Sequence, residues 1–152
     1  MIELDKKNVI IGLEADDRDD CIRKIVARMA ENGYVGLDYA DAVIERENKY
    51  PTGLPTEGVV TAIPHASCGT VHITGMALAV LAHPVGFYNM ADSSELLQPE
   101  IVCVIANTDA NQQLSTLRHL MTCFSEEELL LKIKAAQTAK EIIDILVNAE
   151  EE

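Results

Sequence analysis

The spacing of apolar residues changes period twice along this chain of 152 residues, and that change constrains the fold most strongly. Both ends of the chain repeat apolar side chains at helical spacing, whereas residues 59–106 contain short apolar runs, many of them β-branched, that are typical of strands. Helices at both ends with strands between them predict an α/β fold. We expect a mixed, mostly parallel β-sheet of about five strands, flanked by helices on both faces.

The helices can be bounded from their capping residues. The first is predicted over residues 17–32 with Asp16 or Asp17 as N-cap, and the second over 38–49 with Asp38 as N-cap. Three more follow the strands. One carries the stripe Leu114, Leu117, Met121 and Phe124, and the other two are opened by the capping boxes Ser125-x-x-Glu128 and Thr138-x-x-Glu141.

Four strands are predicted, over residues 59–63, 76–81, 85–88 and 101–106. The last of them, Ile-Val-Cys-Val-Ile-Ala, is apolar throughout, which indicates a central strand that is covered on both faces. Residues 51–58 read Pro-Thr-Gly-Leu-Pro-Thr-Glu-Gly, and this density of turn residues predicts a surface loop.

Composition narrows the class of protein. The length fits one domain over residues 1–152, and the formal charge of −13 leaves no Lys/Arg surplus for nucleic acid. The longest apolar run, residues 75–82, is too short to cross a bilayer, and the N-terminus lacks the apolar core of a signal peptide. Three cysteines at apolar positions, Cys21, Cys103 and Cys123, are predicted to be buried thiols. We therefore expect a cytoplasmic protein that does not insert into the membrane.

Cationic residues are absent from the middle of the sequence. No Lys or Arg occurs between residues 50 and 117, although Arg46 and Lys49 precede this segment and Arg118 follows it. A buried, strand-rich middle explains most of this pattern. An anion bound in the middle of the chain would need a cation from outside it.

His65 is the strongest candidate for chemistry among the four histidines. It follows Pro64 at the end of a predicted strand, where a rigid turn can hold the side chain toward a cleft. A neutral imidazole keeps a free lone pair near pH 7 and is therefore a suitable nucleophile. The alternative is a surface-loop histidine beside a structural proline. The remaining histidines are weaker candidates: His72 lies at the approach to a strand, His83 precedes Pro84 in a turn, and His119 is predicted to be solvent-exposed on its helix.

A metal- or ligand-binding module that uses His65, Cys68 and His72 is a further alternative. Zinc needs three or four tetrahedral ligands, and the sequence offers no partner pair at a suitable spacing, so we expect no metal. No glycine-rich nucleotide loop of the Walker or dinucleotide type occurs, so we expect no cofactor.

Two other residues become candidates if His65 handles phosphate. Arg46 could bind phosphoryl oxygens in a bidentate manner, and its alternative is a solvated helix charge paired with Asp41 or Glu47. Gln113 lies in the first turn of a predicted helix, where its amide could meet an anion. Its alternative is an ordinary polar residue at a frayed helix end.

The segment Glu45-Arg-Glu-Asn-Lys-Tyr-Pro-Thr-Gly-Leu-Pro, followed by Ala-Ile-Pro-His-Ala at residues 62–66, resembles a known signature. It is similar to that of the fructose/mannitol-type (type 2) enzyme IIA domain of the bacterial phosphoenolpyruvate-dependent sugar phosphotransferase system. The resemblance covers nearly the whole chain. Galactitol-specific members are the most similar within that family, because they share the Arg-Glu and Pro-Thr-Gly segments and a stretch like Gln-Gln-Leu-Ser-Thr-Leu-Arg at residues 112–118.

The resemblance implies a phosphocarrier. His65 would be phosphorylated by the phosphohistidine of HPr and would pass the phosphoryl group to a cysteine of a IIB component, for uptake of galactitol or a related polyol through the membrane component IIC. Arg46 would stabilise the phosphoryl group, and Gln113 stands where many relatives have a second histidine. A regulatory protein of the same fold, whose phosphorylation state controls partner binding, is the alternative function.

Overall fold

The computed structural model describes residues 4–151, which form seven strands and five α-helices. The strands are β1 (Leu4–Leu13), β2 (Gly53–Leu54), β3 (Thr61–Ala62), β4 (Gly75–Leu81), β5 (Phe87–Asn89), β6 (Asp92–Leu97) and β7 (Ile101–Ala106). The helices are α1 (Arg18–Glu31), α2 (Asp38–Lys49), α3 (Gln113–Phe124), α4 (Glu127–Ala135) and α5 (Ala139–Glu151). A 3-10 turn, Ala110–Gln112, leads into α3.

The strands form one mixed sheet in the order β1-β4-β7-β3-β2-β5-β6. The α/β class and the mixed sheet are as predicted, but the sheet has seven strands where about five were expected. Parallel strand pairs were expected to predominate, but they do not outnumber antiparallel pairs. Three pairs are parallel (β1–β4, β2–β5 and β3–β7), and three are antiparallel (β2–β3, β4–β7 and β5–β6).

Helices cover both faces of the sheet. The side chains of β4 and β7 alternate between two apolar clusters, one on each face of the sheet, because successive residues of a strand point to opposite faces. Ala77, Ala79 and Val104 pack against α1 and α2, while Leu78 and Ile105 pack against α3, α4 and α5. Every residue of β7 is buried, which confirms the prediction of a central strand. Cys21, Cys103 and Cys123 are buried as expected.

The helix ends test the capping predictions. Asp17 is the N-cap of α1, and its side chain accepts a hydrogen bond from the backbone N–H of Asp20 at 2.8 Å. Asp38 is not the N-cap of α2, because Leu37 holds that position and the Asp38 carboxylate binds Thr70 instead. The predicted capping box at Ser125 is also wrong. The Ser125 hydroxyl donates to the Thr122 carbonyl, at the end of α3.

Residues 51–58 are not simply a surface loop. Gly53 and Leu54 are buried in strand β2, between β3 and β5. A side chain at Gly53 would meet the backbone, since a Cβ built there would lie 2.6 Å from the Tyr88 carbonyl oxygen. The close approach of β5 therefore explains the glycine of the Pro-Thr-Gly segment.

Among the helices of residues 4–151, none is both long enough and apolar enough to cross a membrane.

Candidate functional site

His65 lies where the chain leaves strand β3 and runs beside the end of β7. It forms a parallel bridge with Ile105, and the carbonyl of Pro64 accepts a hydrogen bond from the Ile105 backbone N–H at 3.1 Å. Pro64 has no N–H of its own, and its ring restricts the backbone that leads into the histidine. The backbone at His65 is thus held by the central strand of the sheet, as the Pro-His context suggested.

His65 is 5% exposed, and one nitrogen of its imidazole is already engaged. Nδ1 lies 2.8 Å from the carbonyl oxygen of Ile63. A carbonyl can only accept, so Nδ1 carries the hydrogen and the lone pair lies on Nε2. Burial lowers the pKa of His65 below its usual value, the Arg46 charge lowers it further, and the hydrogen bond to Ile63 opposes the shift. Near neutral pH the ring is therefore an uncharged base with its free lone pair on Nε2.

His65 borders a cleft of about 420 Å³. The end of α2 and the residues after it form one wall, the turn between β5 and β6 forms another, and α3 contributes Leu117. The lining residues are Arg46, Lys49, Tyr50, Pro51, Thr52, His65, Met90, Ala91, Ser93 and Leu117. The cleft thus brings two cations of α2 to the edge of the cation-free segment, beside its histidine.

Arg46 faces this cleft from the last turn of α2. Its guanidinium carbon lies 5.0 Å from the centre of the Tyr50 ring, and its Nε is buried without a hydrogen-bond partner in the described part of the chain. The alternative pairings do not occur, because Asp41 pairs with Arg23 at 2.9 Å and Glu47 accepts hydrogen bonds from Thr52. A held cation with an unused donor next to the histidine suits an anionic group.

Gln113 is placed beside the histidine segment by the start of α3. Its Nε2 donates to the Ala66 carbonyl at 3.2 Å, and its Oε1 accepts from the Asn107 amide. It lines a neighbouring cavity of about 180 Å³, with residues 66–69, and does not line the His65 cleft. The structure therefore connects Gln113 to His65 through Ala66.

Tyr39 supports the site in a way that the sequence did not indicate. It lies on the inward face of α2 and is fully buried. Its hydroxyl accepts from the Ala66 N–H at 3.2 Å and donates to the Ile105 carbonyl at 2.6 Å. Burial raises its pKa to about 12, so the hydroxyl keeps its proton and remains a donor. The phenol ties the residue after His65 to β7.

Removing this hydroxyl should destabilise the protein. Tyr39→Phe leaves the buried Ala66 N–H and the Ile105 carbonyl without this partner, so we expect the free energy of unfolding to fall by about 1–3 kcal/mol in urea denaturation. Tyr88→Phe is the matched control, because the Tyr88 side chain is 42% exposed. Equal stability of both variants and the wild type would refute this role of the Tyr39 hydroxyl.

The other histidines lie outside the cleft. His72 and His83 are exposed. His119 is only partly exposed, contrary to the prediction, since its Nε2 lies 3.9 Å from the sulfur of Cys123 on the same helix. Within residues 4–151, no group of three or more His, Cys, Asp or Glu side chains could hold a metal ion, so His65, Cys68 and His72 are not assembled into a metal site.

The arrangement suits one kind of chemistry. A buried neutral imidazole with its lone pair on Nε2 lines a cleft, and two cations line the same cleft. Such a site can attack an electrophile that carries negative charge, because the cations stabilise the charge on the transferred group. A phosphoryl group is such an electrophile, because its phosphorus accepts a nucleophile and its oxygens carry negative charge.

Comparison with known proteins identifies a family. A family model described as phosphoenolpyruvate-dependent sugar phosphotransferase system, EIIA 2, matches residues 3–149. The mannitol-specific phosphotransferase enzyme IIA component of Halalkalibacterium halodurans is 29% identical, over 94% of this chain and 93% of that protein. The galactitol-specific EIIA component of Escherichia coli O6:H1 is 27% identical, over 78% of this chain and 79% of that protein.

Other matches are longer proteins. The mannitol-specific EIICBA component of Vibrio cholerae is 25% identical over 99% of this chain, but the matched region is 22% of its length. Among solved structures, the complex of enzyme IIA and phosphorylated enzyme IIB for mannitol from Escherichia coli matches with a TM-score of 0.78. The identity is 23%, over 97% of this chain and 99% of that chain, which shows a shared fold.

Proposed function

Because the chain belongs to the EIIA 2 family of the phosphoenolpyruvate-dependent sugar phosphotransferase system, we propose that His65 is its phosphoryl-accepting residue. IIA components are phosphotransferases that carry phosphoryl groups between proteins. In this proposal His65 receives the group from the phosphohistidine of HPr and passes it to a cysteine of a IIB component. The observation that carries the proposal is the Nδ1–H···O bond to Ile63, which leaves the free lone pair on Nε2 of a histidine that lines a cleft with two cations.

The chemistry consists of two in-line transfers. The Nε2 lone pair attacks the phosphorus, the new N–P bond forms, and the electrons of the donor's N–P bond return to the donor imidazole. In the second transfer a IIB thiolate attacks the phosphorus, and the electrons of the N–P bond return to Nε2. Phosphorylation places positive charge on the ring, and the Nδ1–H bond to the Ile63 carbonyl stabilises that charge.

Positioning and charge do most of the work in such a reaction. Arg46 is proposed to contact the phosphoryl oxygens, because its Nε is an unused buried donor. Gln113 is proposed to hold the Ala66 carbonyl, and with it the backbone that follows His65. Relatives with a histidine at this position could move a proton there, whereas the amide of Gln113 can only hold neighbouring groups in place.

The partners follow from charge and from the relatives. The formal charge of −13 favours a donor protein that presents basic residues, which is the proposed property of HPr. The mannitol IIA of Escherichia coli forms a complex with its phosphorylated IIB, which supports a IIB protein as the acceptor here. We propose that a membrane IIC component completes the system, as in the longer EIICBA relative.

Galactitol, or a related polyol, is the proposed sugar. Support comes from the galactitol-specific relative and from the similar segment at residues 112–118, although mannitol-specific relatives also match. The choice of sugar lies in the IIB and IIC partners, since the cleft beside His65 meets a protein-bound phosphoryl group and not the sugar itself. Transfer to a panel of galactitol and mannitol IIB proteins therefore tests this point.

The function is tested by incubating the protein with phosphoenolpyruvate, enzyme I and HPr, then adding candidate IIB proteins. We expect acid-labile phosphate on the protein, followed by its loss when the cognate IIB is present. No phosphate on the wild-type protein would refute the phosphocarrier assignment. Phosphorylation without transfer to any IIB would favour the regulatory alternative.

The lowered pKa of His65 predicts how phosphorylation depends on pH. The attacking form is the neutral ring, and burial gives His65 a larger neutral fraction than an ordinary histidine, with its pKa of 6.5, has at the same pH. We expect the NMR titration midpoint of His65 to lie below 6.5, and its phosphorylation rate to fall less than that of an ordinary histidine as the pH falls from about 8 to about 6.5. Phosphoramidate serves as the donor in this assay, and N-acetylhistidine is the reference acceptor. The rate for His65 is divided by the rate for N-acetylhistidine at each pH, so that the effect of pH on the donor cancels. A midpoint at or above 6.5 would contradict the prediction.

A further inference from the structure

Glu47 is a buried carboxylate that the transfer chemistry does not use directly. It is 2% exposed, next to Arg46 on α2, and both of its oxygens accept hydrogen bonds from one residue. Thr52 donates its backbone N–H to Oε2 at 2.8 Å and its hydroxyl to Oε1 at 2.7 Å. Thr52 is itself 1% exposed. The carboxylate therefore holds Thr52 by two bonds in the interior of the protein.

The same hydrogen bonds continue to the imidazole. The Thr52 carbonyl accepts the backbone N–H of Ile63 at 3.2 Å, and the Ile63 carbonyl accepts Nδ1–H of His65 at 2.8 Å. An unbroken series thus runs from Glu47 through Thr52 and Ile63 to His65. It joins the Arg-Glu, Pro-Thr-Gly and Ile-Pro-His segments, which are separated along the chain.

Burying a carboxylate has an energetic cost that an apolar residue would avoid. Charged groups lose hydration in the interior, and hydrogen bonds to the carboxylate only partly offset that loss. A leucine could fill similar space, but it could not accept two bonds from Thr52. What the carboxylate adds is a fixed position for the Thr52 backbone, and this backbone sets the position of Ile63.

We infer that Glu47 and Thr52 are positioning residues for phosphoryl transfer, which keep the Ile63 carbonyl where it fixes the Nδ1–H tautomer of His65. This inference rests on the proposed function of His65. The consequence is kinetic, because a displaced carbonyl would let the ring tilt or take the other tautomer, with its hydrogen on Nε2. A ring in that state has no lone pair directed to the phosphorus.

The variants that test this inference are Thr52→Val, Thr52→Ser and Glu47→Ala. Thr52→Val keeps the shape and the backbone N–H but removes the hydroxyl, which leaves Oε1 of Glu47 without its donor. Thr52→Ser restores a hydroxyl and should restore function. Glu47→Ala removes both bonds to Thr52. Asn8→Ala is the matched control, because Asn8 is fully buried on β1, accepts a bond from Asn32, and lies on a strand that pairs only with β4 among the described strands.

Two measurements separate positioning from stability. The ring 15N shifts of unphosphorylated protein report the tautomer of His65, and rapid-quench kinetics with phospho-HPr report the transfer rate. For Thr52→Val we expect the Nε2–H tautomer to appear and kcat to fall about 10-fold with KM changed less than about twofold. For Glu47→Ala we expect a loss of about 10- to 100-fold. Asn8→Ala should lower stability yet leave the tautomer and kcat as in the wild type.

The outcomes distinguish this inference from the proposed function. If Thr52→Val and Glu47→Ala keep the wild-type tautomer and kcat, the inference is wrong even though wild-type His65 becomes phosphorylated. If Asn8→Ala shifts kcat equally, the effect is general destabilisation and the inference is again wrong. If the wild-type protein accepts no phosphate, the proposed function fails first, and the ring 15N shifts of the variants still test whether Thr52 and Glu47 hold the tautomer.

Discussion

Replacing His65 with alanine is expected to abolish phosphorylation of the protein. In the wild type His65 lines the cleft with its free lone pair on Nε2, and its proposed acceptor role depends on the bond from Nδ1 to Ile63. Without the imidazole the cleft retains its cations but has no neutral base. We expect the rate of acid-labile phosphate incorporation from phospho-HPr to fall by more than about 1,000-fold, as for removal of other nucleophiles. Rapid-quench assays with labelled phosphoenolpyruvate, enzyme I and HPr measure this rate.

The matched controls for His65→Ala are His72→Ala and His83→Ala. Both histidines are exposed and neither lines the cleft, so both variants should be phosphorylated at the wild-type rate. Circular dichroism and thermal unfolding check that His65→Ala is folded. Acid-labile phosphate on folded His65→Ala at a rate near that of the wild type would disprove the assignment of the acceptor.

Replacing Arg46 with glutamine is expected to have the next largest effect. The guanidinium lies over the Tyr50 ring and keeps a buried Nε donor unused, which supports its proposed contact with the phosphoryl oxygens. Removing one such preorganised donor typically lowers a rate by about 100- to 1,000-fold, which corresponds to about 2.7–4 kcal/mol. We expect a loss of that size in the transfer from phospho-HPr to His65.

Arg46→Lys should recover only part of the lost rate, because an ammonium group cannot form the bidentate contact of a guanidinium. Arg23→Gln is the matched control, since Arg23 forms an exposed ion pair with Asp41 away from the cleft. A loss for Arg46→Gln of less than about threefold, or one equalled by Arg23→Gln, would contradict the assigned role of Arg46.

Much of the fold could be predicted because its signals are local. The first two helices follow the apolar period closely, and α1 and α2 begin and end within one residue of the predicted bounds. Strand β7 was predictable because it is apolar at every position, which is what burial on both faces of a sheet requires.

The missed strands lack such a signal. Strand β1 contains a polar run, Asp5–Asn8, which an edge position allows. Strand β2 is two residues long, so it shows no period, and β6 is an exposed edge strand of mostly polar residues. Their pairing depends on long-range contacts, such as the approach of β5 to Gly53, that no local pattern reports.

The residues of the candidate site also differ in whether a local sequence pattern indicates them. His65 could be proposed because a proline and the end of a strand adjoin it in sequence, and Arg46 because it is among the nearest cations to the cation-free segment. Tyr39 and Glu47 were not found, since one looked like an ordinary core residue and the other like a helix surface charge. Their roles depend on hydrogen bonds to Ile105 and Thr52, whose positions follow from the folded sheet and from the chain after α2.

The most direct test of the central claim is the ring nitrogen that carries the phosphoryl group. Two-dimensional 1H–15N NMR of the phosphorylated protein, labelled at its histidine rings, distinguishes Nε2-phosphohistidine from the Nδ1 form. The hydrogen bond between Nδ1 and the Ile63 carbonyl predicts phosphorus on Nε2 of His65, with Nδ1 still protonated. Phosphorus on Nδ1, or on any residue other than His65, would contradict the account.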